Sequence, residues 1–164
     1  MTTSGSPYVI DYRGRFGFDV APSQLWASIE RGERFESWWS WLGDFRLDGE
    51  RLEVGAVMHG VVSPPVPYRM RVRVVVERCV PCRSVDAAVH GDIEGDARLV
   101  MEPAGGGTAV EVQWTIEMMQ RAMRMAARVA HPLLRWGHDR VVEATVDGYR
   151  RHVEERSRRL EPGE

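Results

Sequence analysis

The sequence predicts an α+β domain in which a curved antiparallel sheet of seven strands wraps around one long C-terminal helix, with two short helices after the first strand. Two observations predict this class. Apolar residues recur at three- and four-residue steps from 132 to 160, as in an amphipathic helix, and they alternate with polar residues over most of the chain upstream, as in half-buried strands. The length of 164 residues suits one domain, so we expect 1–164 to form a single domain with disordered tails at 1–6 and 161–164.

The composition is typical of a globular protein, with 43% hydrophobic residues, 28% charged residues and a formal net charge of −2. This balance, without a recognisable nucleic-acid module, argues against a nucleic-acid-binding domain. No apolar run reaches the length of a membrane span, and the N-terminal residues lack the basic and apolar regions of a signal peptide. We therefore expect a cytoplasmic protein, and we expect no cofactor.

The chain before residue 44 predicts one strand and two short helices. Aromatic and aliphatic residues alternate with charged ones over 8–20, which indicates the first strand, and Pro22 opens a short helix. A second short helix is expected over 33–42. Three of the four positions from 38 to 41 are tryptophans. Their indoles cannot all face one core, so at least one of them is expected to line a cleft or rim. These indoles belong to Trp38, Trp39 and Trp41.

From residue 44 the alternation has a period of two, and turn residues such as Asp48-Gly49 and Gly105–Gly107 interrupt it. This pattern predicts six consecutive strands that form a meander. They are expected near 44–50, 55–63, 68–78, 83–90, 93–103 and 108–118.

The long helix is expected to begin near Pro132, because a proline in the first helical turn loses no hydrogen bond. Its charged residues fall on the side opposite to its apolar ones, so one face is predicted to cover the sheet. That face consists of Leu134, His138, Val141, Thr145, Tyr149 and Val153.

Short segments over nearly the whole chain carry a resemblance to a known family: Phe16–Trp26, Leu52–Gly55, Pro67-Tyr68, Gly91–Gly95, Gly107–Trp114 and Pro132–His138. With the order of elements, they resemble the START-like, or helix-grip, fold of the SRPBCC superfamily, and in particular its polyketide cyclase/dehydrase-like members. The resemblance implies an internal cavity between the sheet and the long helix that holds a lipid, a polyketide or another apolar small molecule.

The alternation also predicts which residues face the long helix. The inward side is apolar and in places made of small residues, so either a ligand cavity of about 300–1,000 Å³ or a fully packed core is compatible with it. With the resemblance, the ligand-lining residues are expected to be Trp39, Met70, Val72, Val74, Ala87, Leu99, Val112, Trp114, Val141 and Thr145.

Two functions remain open. The first is binding or carriage of a hydrophobic small molecule, and the second is cyclase, aromatase or dehydratase chemistry on a poly-ketone chain, which needs polar groups in the cavity. The candidates for such groups are His59, Tyr68 and His138, each of which also has a structural interpretation. Because the clearly read strands offer no polar group, we rank binding first.

Other motifs do not predict a site. Cys79 and Cys82 have the spacing of a redox pair or half a zinc site, but they fall in a predicted hairpin and no second pair exists. The alternating acids Asp92, Glu94 and Asp96 lack the spacing of a calcium-binding loop. No metal site is expected.

The segment from 119 to 135 contains no acidic residue, and methionines accompany its arginines. We hypothesise that Arg121, Arg124 and Arg128 dock an anionic membrane surface or an acidic carrier protein. The alternative is an ordinary solvated helix face that balances acidic residues elsewhere.

Overall fold

The computed structural model describes residues 8–32, 34–65 and 68–160. The predicted tails at 1–6 and 161–164 lie outside the described residues, and so do Glu33, Val66 and Pro67.

The strands of the described chain form a single antiparallel sheet. They are β1 (Val9–Phe18), β2 (Leu42–Asp48), β3 (Val57–Val62), β4 (Met70–Val80), β5 (Ser84–Gly91), β6 (Ile93–Ala104) and β7 (Gly107–Met118). The order across the sheet is β1-β7-β6-β5-β4-β3-β2, so the predicted meander from β2 to β7 is confirmed. β1 pairs with β7, and Tyr12 lies opposite Trp114.

The strand boundaries differ from the predicted ones by a few residues, and β2 and β3 show why. β2 occupies 42–48 and ends at Gly49, whose φ of 134° is a backbone conformation that favours glycine. Gly55, with a φ of 87°, keeps the chain in a turn, so that β3 begins only at Val57. A register shift between Gly43 and Arg46 interrupts the alternation of β2.

The described helices are α1 (Pro22–Ile29), α2 (Phe35–Trp38) and α3 (Arg121–Leu160). Two short helices after the first strand and a long C-terminal helix confirm the predicted order. The extent of the helix predicted over 33–42 is wrong, because α2 is a single turn. Trp39 has an extended backbone, with φ −123° and ψ 97°, and the chain turns from there into β2.

α3 is interrupted at Ala130, where φ is −125° and ψ is 30°. Pro132 follows directly and occupies the first turn after the break, as its missing N–H favours. The basic segment before the break is therefore also helical. Buried Met123 and Ala127 attach it to the end of the sheet.

Most buried hydrophobic residues of the described chain form two clusters at opposite ends of α3, and Ala87, Val89 and Val142 are buried outside both. The large cluster joins α1, α2 and the C-terminal half of α3 to the sheet: Phe18, Val20, Leu25, Trp26, Ile29, Phe35, Leu52, Ala56, Val76, Met101, Val110, Tyr149 and Val153. The small cluster joins the N-terminal half of α3 to the end of β7: Met118, Met123, Ala127 and Leu134.

Candidate functional site

The inner face of the sheet carries small residues at its centre. The strand registers align Tyr12, Trp114, Ala97, Ala87 and Val76 in one row across β1, β7, β6, β5 and β4. Two of the five positions are alanines, and the adjacent row contains Gly95 opposite Val89. Side chains of this size leave more room beneath α3 than the large residues of either cluster.

Several inward-facing residues in this part of the sheet are only half-buried, although Val76, Ala87 and Val89 beside them are buried. We call the region between the central row and α3 the central gap. The half-buried residues around it are Val72, Val74, Ala97, Leu99, Val112, Trp114, Val141 and Thr145. Leu99 and Val112 also pack against the large cluster. The registers place the predicted ligand-lining strand residues on this inner face: Met70, Val72, Val74, Ala87, Leu99, Val112 and Trp114.

An aromatic group on β1, β7 and α3 borders the central gap. Tyr12 stacks on Trp114 with a centroid distance of 4.5 Å, and both rings meet the edge of His138, at 5.3 and 5.5 Å. The indole Nε1 of Trp114 donates a hydrogen bond of 2.9 Å to Nε2 of His138. The structure thus brings together two residues that the sequence indicates separately, Trp114 and His138.

These contacts determine the protonation state of His138. Because Nε2 accepts from Trp114, the ring proton lies on Nδ1, which is 3.3 Å from the Asp139 carboxylate. Burial lowers the pKa of His138, and nearby Arg135 acts in the same direction, while Asp139 opposes both. His138 is therefore held neutral, and the lone pair that would serve as a general base is already occupied.

Tyr12 is a site residue that was not among the sequence candidates. A side chain at Gly14 would collide with the Tyr12 hydroxyl, which shows that the Tyr12 ring leans along β1 over the glycine. Among the described residues the hydroxyl has no hydrogen-bond partner, and burial, with Asp139, raises its pKa. The sequence signal was Gly14, two residues away on the same face of the strand.

Trp39 and α3 form another boundary of the central gap. The indole Nε1 of Trp39 donates a 3.0 Å hydrogen bond to the backbone carbonyl of Thr145, and the Thr145 hydroxyl donates to the carbonyl of Val141. Trp39 also stacks on Trp41 at 5.5 Å. The Trp41 indole nitrogen is buried and has no partner within the described residues. Trp38 instead contacts Tyr149.

Tyr149 closes the interior at the large cluster. Its hydroxyl lies 2.5 Å from the Ser28 hydroxyl and donates to the carbonyl of Leu25 at 3.1 Å. Burial raises the pKa of Tyr149 to about 12, although the Ser28 hydrogen bond opposes the shift. These contacts attach α3 to α1, so Tyr149 has a structural role.

At the opposite end, Tyr68 packs against the small cluster together with Met70. Burial raises the pKa of Tyr68, which keeps its hydroxyl protonated over the ordinary pH range. Tyr68 and Met70 thus lie at the end of the interior away from Tyr149.

His59 lies on the outer face of the sheet, away from the central gap. It is opposite Arg46 on β2 and Arg73 on β4, and its Nε2 is 2.9 Å from the Asp48 carboxylate. The hydrogen bond from His59 holds the pKa of Asp48 below its usual range, with Arg46 contributing. The structure therefore does not bring His59 together with Tyr68 and His138.

Two open pockets among the described residues lie outside the central gap. One of about 550 Å³ is bordered by the end of α1, α2 and β2, including Glu30, Phe45 and Arg51. The other, of about 660 Å³, is bordered by Tyr12, Ala87, Ala97 and Trp114 of the central row and by the charged or polar residues that alternate with them, such as Asp96 and Arg98. No described residue of α3 is among its lining residues.

Two further features concern metal binding and membrane spanning within residues 8–32, 34–65 and 68–160. No group of three or more His, Cys, Asp or Glu residues there has a geometry that could hold a metal ion. No helix in the same ranges is long and apolar enough to cross a bilayer.

No family model and no curated protein matches the chain. Solved structures match it at the level of the fold. TTHA0849 from Thermus thermophilus superposes with a TM-score of 0.74 and 14% identity, over 90% of this chain and 99% of that chain. The Zhui aromatase/cyclase from Streptomyces sp. R1128 has a TM-score of 0.71 and 8% identity, over 91% and 96%. Ara h 8.0201 has a TM-score of 0.63 and 16% identity, over 90% and 99%.

Proposed function

We propose, from the premise that the chain has the helix-grip fold indicated by its SRPBCC resemblance, that it binds a hydrophobic small molecule in the central gap. The ligand would lie between α3 and the inner face of the sheet, with the small cluster at one end and the large cluster at the other. It would contact the alanines of the central row beneath it and the Trp114 ring at its side.

The observation that supports this proposal is the half-buried state of inward-facing side chains between two well-packed clusters. Protein interiors are normally packed as densely as organic crystals, so apolar residues in the middle of a domain are expected to be buried. Here Val72 and Val74 retain contact with solvent although they lie on the inner face of the sheet. A small molecule that covers them removes apolar area from water at about 25 cal/mol per Å².

The polar groups around the gap indicate a mostly apolar ligand that carries few oxygens. The Tyr12 hydroxyl is available to donate a hydrogen bond, whereas the indoles of Trp114 and Trp39 already donate to His138 and Thr145. Neither an arginine nor a carboxylate contributes to the inner face of the central row. A charged ligand would therefore be desolvated without a compensating partner.

The experiment fills the central gap with a larger side chain at Ala97 and uses a substitution on the outer face of the sheet as the control. Ala97→Phe places a ring in the gap, and Ala97→Leu a smaller side chain, whereas Ala88→Phe adds the same ring on the outer face, where Ala88 pairs with Asp96. Binding of N-phenyl-1-naphthylamine is measured by fluorescence, and co-purified compounds are identified by native mass spectrometry. We expect Ala97→Phe to weaken dye binding by at least about tenfold and Ala97→Leu by less.

Equal dye affinity for Ala97→Phe and Ala88→Phe would contradict the proposal. Thermal unfolding of each variant separates loss of binding from loss of folding. The smaller Ala97→Leu change keeps the test decisive if the phenylalanine is not accommodated.

A second function, cyclisation of a poly-ketone chain, is favoured by one particular feature. The Tyr12 and Tyr68 hydroxyls stay protonated and are able to polarise substrate carbonyls. The Zhui aromatase/cyclase shares the fold. Against it, Nε2 of His138 is occupied by Trp114, which leaves this histidine without a free base.

The two functions are separated by Tyr12→Phe. In a binding protein this variant changes ligand affinity only, by an amount set by one hydrogen bond. In a cyclase it lowers kcat on a poly-ketone substrate while the dye affinity is retained.

A further inference from the structure

The N-terminal half of α3 presents an apolar ridge to solvent. Met125 is 71% exposed, Val129 90%, Leu133 51% and Trp136 46%. Met125 and Val129 are four residues apart before the break at Ala130, and Leu133 and Trp136 are three residues apart after it, so each pair lies on one side of its own helical segment. We call these four residues the exposed ridge.

This concentration is unusual within the described residues. The remaining large hydrophobic side chains that are comparably exposed there are Val54, Val80 and Met119. Single exposed apolar residues are ordinary, but four large ones within twelve residues of one chain segment are typical of an interaction surface. The buried side of the same segment is already used, because Met123 and Ala127 pack on the end of the sheet.

The surroundings of the ridge are positively charged. From 118 to 138 the chain has four arginines and no acidic residue. Arg121 and Arg135 are exposed; Arg121 precedes the ridge in sequence, and Arg135 lies between Leu133 and Trp136.

Arg124 and Arg128, two of the three arginines in the sequence hypothesis, have partners within the fold. Arg124 donates to the Met118 carbonyl and to Glu117, each at 2.8 Å, and its guanidinium lies 5.2 Å from the Tyr8 ring centroid. Arg128 donates to the Tyr8 hydroxyl. Both arginines hold the segment on the sheet, so Arg121 and Arg135 are the arginines of this stretch without a hydrogen-bond or ion-pair partner among the described residues.

The positive charge of this face favours an anionic lipid surface over a second copy of the chain as the binding partner. A second copy of the chain would place the same arginine-rich face against itself, and like charges oppose such symmetric pairing. An anionic lipid surface matches both features of the face. Apolar side chains of a helix that lies flat enter the acyl boundary, tryptophan suits the interface, and arginines reach the headgroups.

We propose that the exposed ridge docks this protein on an anionic lipid surface, with Arg121 and Arg135 contacting the headgroups. The docking involves the outer side of α3, so it does not depend on what the central gap holds. A failure of ligand binding in Ala97→Phe therefore leaves this surface unaffected.

The test uses sedimentation with phosphatidylcholine vesicles, with and without phosphatidylglycerol. We expect binding only to the vesicles that contain phosphatidylglycerol. Val129→Glu and Leu133→Glu each remove an apolar contact and add a repelled charge, so each is expected to lower the partition coefficient by about tenfold or more. The matched controls Val54→Glu and Val80→Glu alter exposed valines elsewhere and leave binding unchanged.

A charge series completes the test. Arg121→Glu is expected to weaken binding to the vesicles. The control Arg51→Glu, at an exposed arginine far along the chain, is expected to leave binding unchanged. Added salt is expected to weaken vesicle binding by the unmodified protein. Equal binding by Val129→Glu and Val54→Glu would overturn the proposal. So would absence of binding to phosphatidylglycerol vesicles, or a dimer in size-exclusion chromatography that Val129→Glu dissociates.

Discussion

His138 shows how a histidine at the border of a hydrophobic helix face is used in this molecule. Its Nε2 accepts from Trp114 and its Nδ1 faces Asp139, so both ring nitrogens have partners. The side chain is 13% exposed, and the neutral form is stabilised by burial. His138 therefore connects α3 to β7, and protonation would break that connection because the charged ring has no acceptor nitrogen.

This arrangement predicts a pH dependence of stability. The pKa of His138 in the folded protein lies below the ordinary value of 6.5, so the unfolded chain takes up the proton first as the pH falls. The stabilisation is complete above about pH 6.5 and is lost as the pH falls through the folded-state pKa. We expect His138→Gln, which retains an acceptor for Trp114, to flatten the fall in the free energy of unfolding measured by urea titration below pH 6.5.

His152 is the necessary comparison for this measurement. Burial also lowers the pKa of His152, with Arg34 acting in the same direction, and its ring lies 4.5 Å from that of Trp38. His152→Gln should remove a separate part of the pH dependence, and the double variant should remove the sum. An unchanged pH profile in His138→Gln would show that His138 is not held neutral. At neutral pH the variant should cost no more than about 1 kcal/mol.

At the scale of single residues, the sequence indicated His138, Trp114 and Tyr68 as candidates but did not indicate Tyr12, which stacks on Trp114. Periodicity assigns Tyr12 to the inner face, yet the position of its hydroxyl depends on the space above Gly14, which is a three-dimensional property. The facing of His59 was unpredictable because β3 lacks a clear alternation and a register shift in β2 precedes it.

The contact between α2 and α3 depends on close approach of two backbones. Added side-chain atoms at Gly148 would overlap the Trp38 carbonyl oxygen and lie 3.5 Å from the Trp39 ring. Glycine in the middle of a helix costs about 1 kcal/mol relative to alanine. Its presence in α3 is therefore explained by the packing of α2.

Alanine normally stabilises the interior of a helix relative to glycine, and this contact predicts the opposite order at Gly148. Gly148→Ala should destabilise the protein by about 1–3 kcal/mol, because the overlap with backbone atoms exceeds the gain in helix propensity. Thermal unfolding measures the change. In the control Ala144→Gly, at an exposed α3 position, the ordinary loss of about 1 kcal/mol is expected. A higher Tm for Gly148→Ala would refute the proposed close approach.

Elements with long and regular periodicity were predictable, and short ones were not. The meander and the helical segment that follows the break at Ala130 were predictable from local pattern and proline chemistry, whereas the helical segment that begins at Arg121 was not predicted. α2 is shorter than predicted because Trp39 leaves the helix and donates to Thr145, which is 106 residues away. No local sequence signal encodes that hydrogen bond.

At the scale of the whole molecule, the division of the core predicts unequal local stability. The helical segment 121–129 is attached by the small cluster and by arginine contacts to Tyr8, whereas the large cluster holds the C-terminal half of α3. The break at Ala130 interrupts helical propagation between them.

Native-state hydrogen exchange tests this inequality. Amides in 123–129 are expected to exchange at least about tenfold faster than those in 142–153, because the first segment opens locally without unfolding the large cluster. Uniform protection along α3 would contradict the separation into two clusters. A bound ligand in the central gap should slow exchange in both segments.

The class, the strand number and the position of the long helix were predictable for the whole chain, because they depend on periodicity that every element shares. The packing in the middle of the core was not predictable, because the alternation of apolar residues is the same whether inward-facing side chains touch or leave space between them. On one strand, for example, Val76 is buried and Val74 is half-buried, a difference that the alternation does not predict.

The pairing of β1 with β7 has a consequence for synthesis on the ribosome. Arg13 meets Glu111 across a separation of 98 residues, so β1 emerges long before its hydrogen-bonding neighbour has been translated. The aromatic side of β1 therefore stays exposed until β7 has been synthesised. Each strand from β3 to β7, by contrast, is able to pair with the preceding strand as soon as it leaves the ribosome. The charged residues Asp11, Arg13 and Arg15, which alternate with the aromatic ones, keep unpaired β1 hydrated until the sheet is completed.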